Sequence, residues 1–172
     1  FDLVVRDLGP NGTVHRFLDL GCGSGQSTRS FLDLGIGAYG FAVDPDPAML
    51  EVARATFASD LARVDWIRGH AESIPLPSDS TDLVIVGSAI HWFDLNRAEP
   101  ELGRVLLPGS RFFVFEYQFP VPMRDSELGE KIRRRFNLEW KAPNQRPRGR
   151  LLDVLAPFRD RNGWRFVGSE RP

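Results

Sequence analysis

Gly21-Cys22-Gly23-Ser24-Gly25 follows directly on the run Arg16-Phe17-Leu18-Asp19-Leu20, and this junction constrains the chain more than any other stretch. A short apolar run reads as a buried strand. Glycine at every second position then reads as a loop whose backbone comes close to a ligand, because glycine has no Cβ and tolerates positive φ. Ser24 or Ser27 is expected to cap a helix running through about Leu34, with Phe31, Leu32 and Leu34 facing inward. Gly35-Ile36-Gly37 stops it. Strand, glycine loop and helix N-terminus together favour the polar or anionic part of a ligand. The glycines alone do not choose that ligand. Dinucleotide binders use G-x-G-x-x-G, and here the third glycine comes one residue early.

The rest of the chain repeats the alternation. Ala38 to Val43 reads as a second strand ending at Asp44, and Asp46 as a helix N-cap with Pro47 in the first helical position. The stripe Met49, Leu50, Val52, Ala53 and Phe57 is expected to pack in the core. Val64 to Arg68 reads as a third strand, Asp82 to Val86 as a central parallel one, and Arg111 to Tyr117 as a fifth. Asp94 caps an expected helix over Leu95 to Leu106, closed by Pro108-Gly109. Asp2 to Leu8 suits the end of a helix that Gly9-Pro10-Asn11-Gly12 breaks.

This pattern predicts an α/β fold: a Rossmann-like, doubly wound, mostly parallel sheet flanked by helices. A single domain is expected over 1–172, with its core about 16–118 and a C-terminal helical, acceptor-side region over 119–172. In that region Ser126 to Leu138 reads as a helix, Pro143 to Arg150 as a loop, Leu151 to Leu155 as a short helix and Trp164 to Val167 as a strand. The chain starts at Phe1 rather than methionine and reaches the glycine loop almost at once. That reads as part of a longer protein, with elements absent at both ends.

Charge and cysteine content remove several classes. A formal net charge of −1 gives the whole chain no electrostatic case for nucleic acid or a membrane surface. No apolar run approaches the roughly 18 residues of a membrane span. Cys22 is the only cysteine, which excludes an intrachain disulfide and favours a cytoplasmic location. It reads as a small buried hydrophobe fitted into a tight loop, not a nucleophile. His15 and His70 have no Cys/His/Asp cluster at ligand spacing, so no metal site is expected. The segment 131–150 holds eight Lys or Arg against the single acid Glu139. It reads first as a solvated helix face and second as a contact for an acidic acceptor or RNA.

In an open parallel sheet the ligand lies beyond the carboxyl ends of the strands, where the strand order reverses. Asp44 ends the second strand, where a carboxylate can accept hydrogen bonds from the two hydroxyls of a ribose. The alternative is that it only caps the next helix, a task open to Asp46. Gly69-His70-Ala71-Glu72 follows the third strand, where a carboxylate can meet an adenine edge. Gly87-Ser88-Ala89-Ile90-His91-Trp92-Phe93-Asp94 follows the fourth, near the reacting end of a ligand stretched across the switch point.

These stretches resemble the class I S-adenosylmethionine-dependent methyltransferases. Leu18 to Gly25 is similar to that family's motif I, and Asp44 to its ribose-binding acid. Ala71-Glu72-Ser73-Ile74-Pro75-Leu76 resembles its segment beside the adenine, and Asp82-Leu83-Val84 its fourth-strand pattern, with Thr81 in place of the aromatic. Arg104-Val105-Leu106-Leu107-Pro108-Gly109-Ser110 is similar to the turn before its fifth strand. The resemblance covers Arg16 to Phe115. Ile90-His91-Trp92-Phe93-Asp94 looks most like the small-molecule branch (type 11 domain) that includes trans-aconitate methyltransferase-like proteins.

The resemblance implies S-adenosyl-L-methionine as cofactor, S-adenosyl-L-homocysteine as product, and a small-molecule methyl acceptor. Gly21, Cys22, Gly23 and Gly25 would accommodate the amino acid portion, and Asp19 would help hold its ammonium, directly or through water. Asp44 would take the ribose, Ala71 and Glu72 would flank the adenine, Pro45 or Met49 would pack on its face, and Ser88 would offer backbone beside the methionine portion. His91 is the candidate general base for an acceptor that must lose a proton. The alternative is a histidine that only hydrogen-bonds backbone or cofactor. Two rival functions stay open: a catalytically silent module that binds cofactor or a protein, and an NAD-dependent oxidoreductase.

Overall fold

The computed structural model describes residues 13–35, 37–58 and 63–116, with Val4, Arg6, Leu155, Phe158 and Trp164. Five strands form one sheet in the order β3-β2-β1-β4-β5: β1 (Val14–Leu20), β2 (Gly37–Asp44), β3 (Val64–Arg68), β4 (Thr81–Gly87) and β5 (Leu106–Phe115). Every pairing is parallel. Helices α1 (Gln26–Asp33), α2 (Pro47–Thr56) and α3 (Leu95–Val105) lie in the β1–β2, β2–β3 and β4–β5 crossovers, while a loop joins β3 to β4. The chain winds outward from β1 through β2 to β3, then returns to lay β4 on the other side of β1. The order therefore reverses between β1 and β4, and the glycine loop leaves β1 at that point.

Parallel strands covered on both faces read as continuous apolar runs. In β1 the last four residues, Phe17 to Leu20, are all buried. Leu18 and Leu20 join Val84, Val86, Ala98, Leu102 and Val105 in one core layer, beneath α3. Phe17 turns the other way, to Phe31 of α1, Leu50 and Ala53 of α2, and Leu83 and Ile85 of β4. Fully burying side chains of this size contributes roughly 1.5–3 kcal/mol each.

Several local expectations need correction. No side chain caps α1: its N-cap is Gly25, at φ +85°, and neither Ser24 nor Ser27 takes that role. Leu34 is exposed, because α1 ends at Asp33 and Leu34 already belongs to the turn. In α2, Asp46 does cap the helix through the amide of Ala48, with Pro47 in the first helical position. Only Leu50 and Ala53 of its residues reach the core, while Met49 and Val52 face outward at 45% and 52% exposure. α3 stops at Val105, and Pro108-Gly109 lies inside β5 instead of closing the helix. Thr81 pairs with Leu106 but Leu83 with Arg111, so the extra residues bulge out, with Gly109 at φ +78°. A bulge leaves backbone groups unpaired, which suits a proline that has no N–H to give.

The expected helices at 2–8, 126–138 and 151–155, the basic tract at 131–150 and the strand at 164–167 lie outside the described residues, apart from single positions. Phe158 and Trp164 pack with Phe112 of β5 as a three-ring cluster, with centroids 5.5–5.8 Å apart. Trp164 Nε1 donates to Glu99 of α3 at 2.8 Å.

Candidate active site at the carboxyl edge of the sheet

The glycine loop is fixed by backbone bonds to the neighbouring strand. The amides of Gly21 and Cys22 both donate to the carbonyl of Val43, at 2.8 and 3.1 Å, and the amide of Gly25 donates to the carbonyl of Cys22 at 2.9 Å. Gly21, Gly23 and Gly25 all have positive φ. Their surroundings differ. A Cβ at Gly21 would lie 2.5 Å from that of Ala89, and one at Gly25 would lie 2.6 Å from Trp66 and 2.7 Å from Phe57. At Gly23 a Cβ would meet nothing within 4 Å. Gly21 and Gly25 are thus required by packing, whereas Gly23 presents its backbone to open space.

Asp19 stands beneath this loop, fully buried. Its Oδ2 accepts the hydroxyls of Ser27 at 2.8 Å and Thr28 at 2.5 Å, both from inside the first turn of α1. Its Oδ1 is buried without a hydrogen-bond partner. Burial raises the Asp19 carboxyl to about 6; the Thr28 and Ser27 hydroxyls oppose that rise, and the charge of Asp44 adds to it. An unpaired carboxylate oxygen in so dry a place fits a cation arriving from above.

Asp44 Oδ2 accepts the amide of Gly23 at 2.8 Å, and its Oδ1 accepts the amide of Asp46 at 2.9 Å. The carboxylate therefore ties the ends of β1 and β2 together, while Asp46 separately caps α2. Pro45 lies exposed beside it, its carbonyl accepting Arg68 Nε at 3.3 Å. Met49 projects from the first turn of α2. Cys22 is buried, and burial with the nearby carboxylates of Asp19 and Asp44 pushes its thiol far above the ordinary range, which keeps it protonated and inert.

After β3, Ala71 is buried, and Glu72 Oε1 accepts the amide of Asp94 at 2.6 Å. Glu72 thus links the loop after β3 to the start of α3. After β4, Ser88 takes φ +51°, an unusual conformation for a residue with a side chain, and its amide donates to the carbonyl of Phe115 at 2.8 Å. Ile90–Trp92 forms a single 3₁₀ turn. His91 Nδ1 lies 3.5 Å from Glu116 Oε1, just past the end of β5, and its ring is mostly buried against Trp92.

The fold therefore brings Asp19, the glycine loop, Asp44 and the turns bearing Ala71, Glu72, Ser88 and His91 to one edge. Sequence reasoning missed Ser27 and Thr28 as partners of Asp19, and Glu116 beside His91. It also missed Glu101 and Arg104 of α3, which bind the 71–76 loop. A hydroxyl at the second and third helical positions after a buried acid was the one available signal; the other pairs join residues far apart in sequence. Among the described residues no group of three or more His, Cys, Asp or Glu could hold a metal ion, and no helix is long and apolar enough to cross a membrane.

Comparison with known proteins gives the family and the fold. A family model described as "Methyltransferase domain" matches residues 18–114. An uncharacterized methyltransferase of Mycobacterium tuberculosis is 46% identical over 98 residues, which cover 57% of this chain and 38% of that protein. The chain thus spans well under half the length of this relative. The crystal structure of YcgJ from Bacillus subtilis superposes with a TM-score of 0.57 at 33% identity, covering 66% of this chain and 48% of that one. An S-adenosylmethionine-dependent methyltransferase from Mesorhizobium loti gives a TM-score of 0.55 at 28% identity, covering 65% and 51%.

Proposed function

The chain belongs to the methyltransferase domain family, whose cofactor is S-adenosylmethionine, and from that premise we propose that it transfers a methyl group to a small-molecule acceptor. One observation carries the reading: the open backbone of Gly23, the carboxylate of Asp44 and the unpartnered Oδ1 of Asp19 converge where the strand order reverses.

The residues present fit the cofactor. Asp19 would balance the ammonium of its amino acid end, with Gly21, Cys22, Gly23 and Gly25 giving it a close backbone. Asp44 would accept the ribose hydroxyls with the lone pairs its two amide donors leave free. Ala71 and Glu72 would flank the adenine, Pro45 or Met49 would lie on its face, and Ser88 would border the methionine chain. When bound, the cofactor supplies an electrophilic methyl on a sulfonium, ready for in-line displacement. The protein's share is alignment, which can contribute roughly 7–11 kcal/mol. For an acceptor that must lose a proton, His91 is the base we assign, with Glu116 stabilising the imidazolium that results. The acceptor would be a metabolite, with neither nucleic acid nor membrane as partner.

A second reading, a silent cofactor-binding module, draws on His91 itself. Both ring nitrogens are closed to solvent, so proton removal requires the turn to open. Radiolabelled S-adenosylmethionine incubated with a metabolite pool separates the two. Label appearing in a small-molecule product supports transfer. Tight cofactor binding with no labelled product, in the full-length protein, would leave only the silent module.

A further inference from the structure

We propose that Glu101 and Arg104 of α3 are positioning residues that set affinity for the adenine half of the cofactor, by holding the 71–76 loop in shape. The inference rests on the cofactor reading above and assigns a task to side chains outside the pocket.

The loop between β3 and β4 has little regular structure of its own beyond a bridge between His70 and Ser73. Its shape depends on its partners. At one end Glu72 Oε1 takes the amide of Asp94 at 2.6 Å. At the other, Glu101 Oε2 takes the amide of Ile74 at 2.8 Å, while Arg104 Nη2 donates to the carbonyl of Ile74 at 2.9 Å and Nη1 to that of Leu76 at 2.7 Å. Glu101 and Arg104 are joined by two parallel bonds, Nε to Oε1 at 2.8 Å and Nη2 to Oε2 at 2.7 Å. Ala71, Ile74 and Leu76 are buried on the same side of the sheet as Ala98, Leu102 and Val105. α3 and its N-cap Asp94 thus hold this segment at Glu72 and again at Ile74 and Leu76, while the Ser73 amide between them donates to the carbonyl of His70 at 3.1 Å.

The chemistry suits a permanent brace. Each partner stabilises the other's charge, holding Glu101 below the usual carboxylate range and Arg104 above its own. Only the planar guanidinium can meet a carboxylate with two bonds and two carbonyls at once, so lysine cannot replace it. Loosening the brace would let the backbone of Ala71 and Glu72 move away from an adenine edge, while the distant Asp19 pocket stays intact.

The test measures dissociation constants, by calorimetry at a temperature where each variant is folded, for S-adenosylhomocysteine and for 5′-methylthioadenosine, which lacks the amino acid end. Arg104→Met and Glu101→Gln are expected to weaken both ligands by the same factor, about ten-fold, the scale of one charge-assisted hydrogen bond. Asp19→Asn is expected to weaken S-adenosylhomocysteine alone. Where Arg104→Met does not fold, Arg104→Lys, which keeps the charge without the fork, carries the same expectation. Unchanged affinities in folded variants would overturn the proposal, as would a loss confined to S-adenosylhomocysteine. If the wild-type protein binds neither ligand, the cofactor reading fails and this inference falls with it.

Discussion

Asp44 holds the amide of Gly23 at 2.8 Å, so the acid that ends β2 is fastened to the loop that ends β1 before any ligand arrives. With Asp46 bonded to its other oxygen, the carboxylate is oriented by two backbone donors and has lone pairs to spare. Asp44→Ala is expected to lower unfolding stability by about 2 kcal/mol, because two amides lose a charged acceptor. It should also abolish the rise in melting temperature that S-adenosylhomocysteine gives the wild type. Urea denaturation and ligand melts check both. A variant that keeps wild-type stability and ligand response would contradict the assignment.

The glycine loop gives a contrast between two similar substitutions. Gly25→Ala places a Cβ 2.6 Å from Trp66 and 2.7 Å from Phe57, two rings stacked with planes 10° apart, so both must shift to admit it. With left-handed strain added, a cost of about 2–5 kcal/mol is expected. Gly23→Ala meets no neighbour, and only the strain of about 1–2 kcal/mol remains. Its methyl would nevertheless occupy ligand space. Denaturant midpoints should fall further for Gly25→Ala, while Gly23→Ala should lose cofactor affinity out of proportion to its stability.

Asp19 makes stability depend on pH in an unusual direction. Its carboxyl rises from 3.8 in the unfolded chain to about 6 in the fold, so the folded state binds the proton more tightly. This contribution is fully present below about pH 3.8 and is lost as pH rises through about 6. Two units correspond to about 3 kcal/mol. The stability difference between wild type and Asp19→Asn should shift in the mutant's favour by that order between pH 4 and 7, as measured by urea melts.

Cofactor affinity should follow the same proton with the opposite sense. A cationic ammonium favours ionised Asp19, so binding of S-adenosylhomocysteine should weaken as pH falls below about 6, and Asp19→Asn should remove that slope. Calorimetry across pH 5 to 8 reads it directly.

Much of this site was legible because its parts are local. Leu18 to Gly25 declares a strand and a close-approach loop within eight residues, and Asp44 and Asp46 sit at a strand end and a helix start that their neighbours define. Legibility failed where the partner is remote. Ser27 looked like a cap because serine commonly caps, and only the fold shows Asp19 directly below it. Pro108-Gly109 carries turn chemistry locally, and the β4 pairing turns it into a bulge. Met49 and Val52 share the spacing of Leu50 and Ala53, but α2 rests on the sheet along a seam too narrow for all four. Nothing near Arg104 in sequence points to the carbonyls of Ile74 and Leu76.

Calorimetric titration of the protein with S-adenosylmethionine decides whether the Gly23–Asp44 edge of the sheet is the cofactor site. Saturable binding at a single site is expected, lost in Asp44→Ala and not reproduced by NAD. An absence of binding at millimolar S-adenosylmethionine in folded protein, or binding equal in wild type and Asp44→Ala, would contradict it.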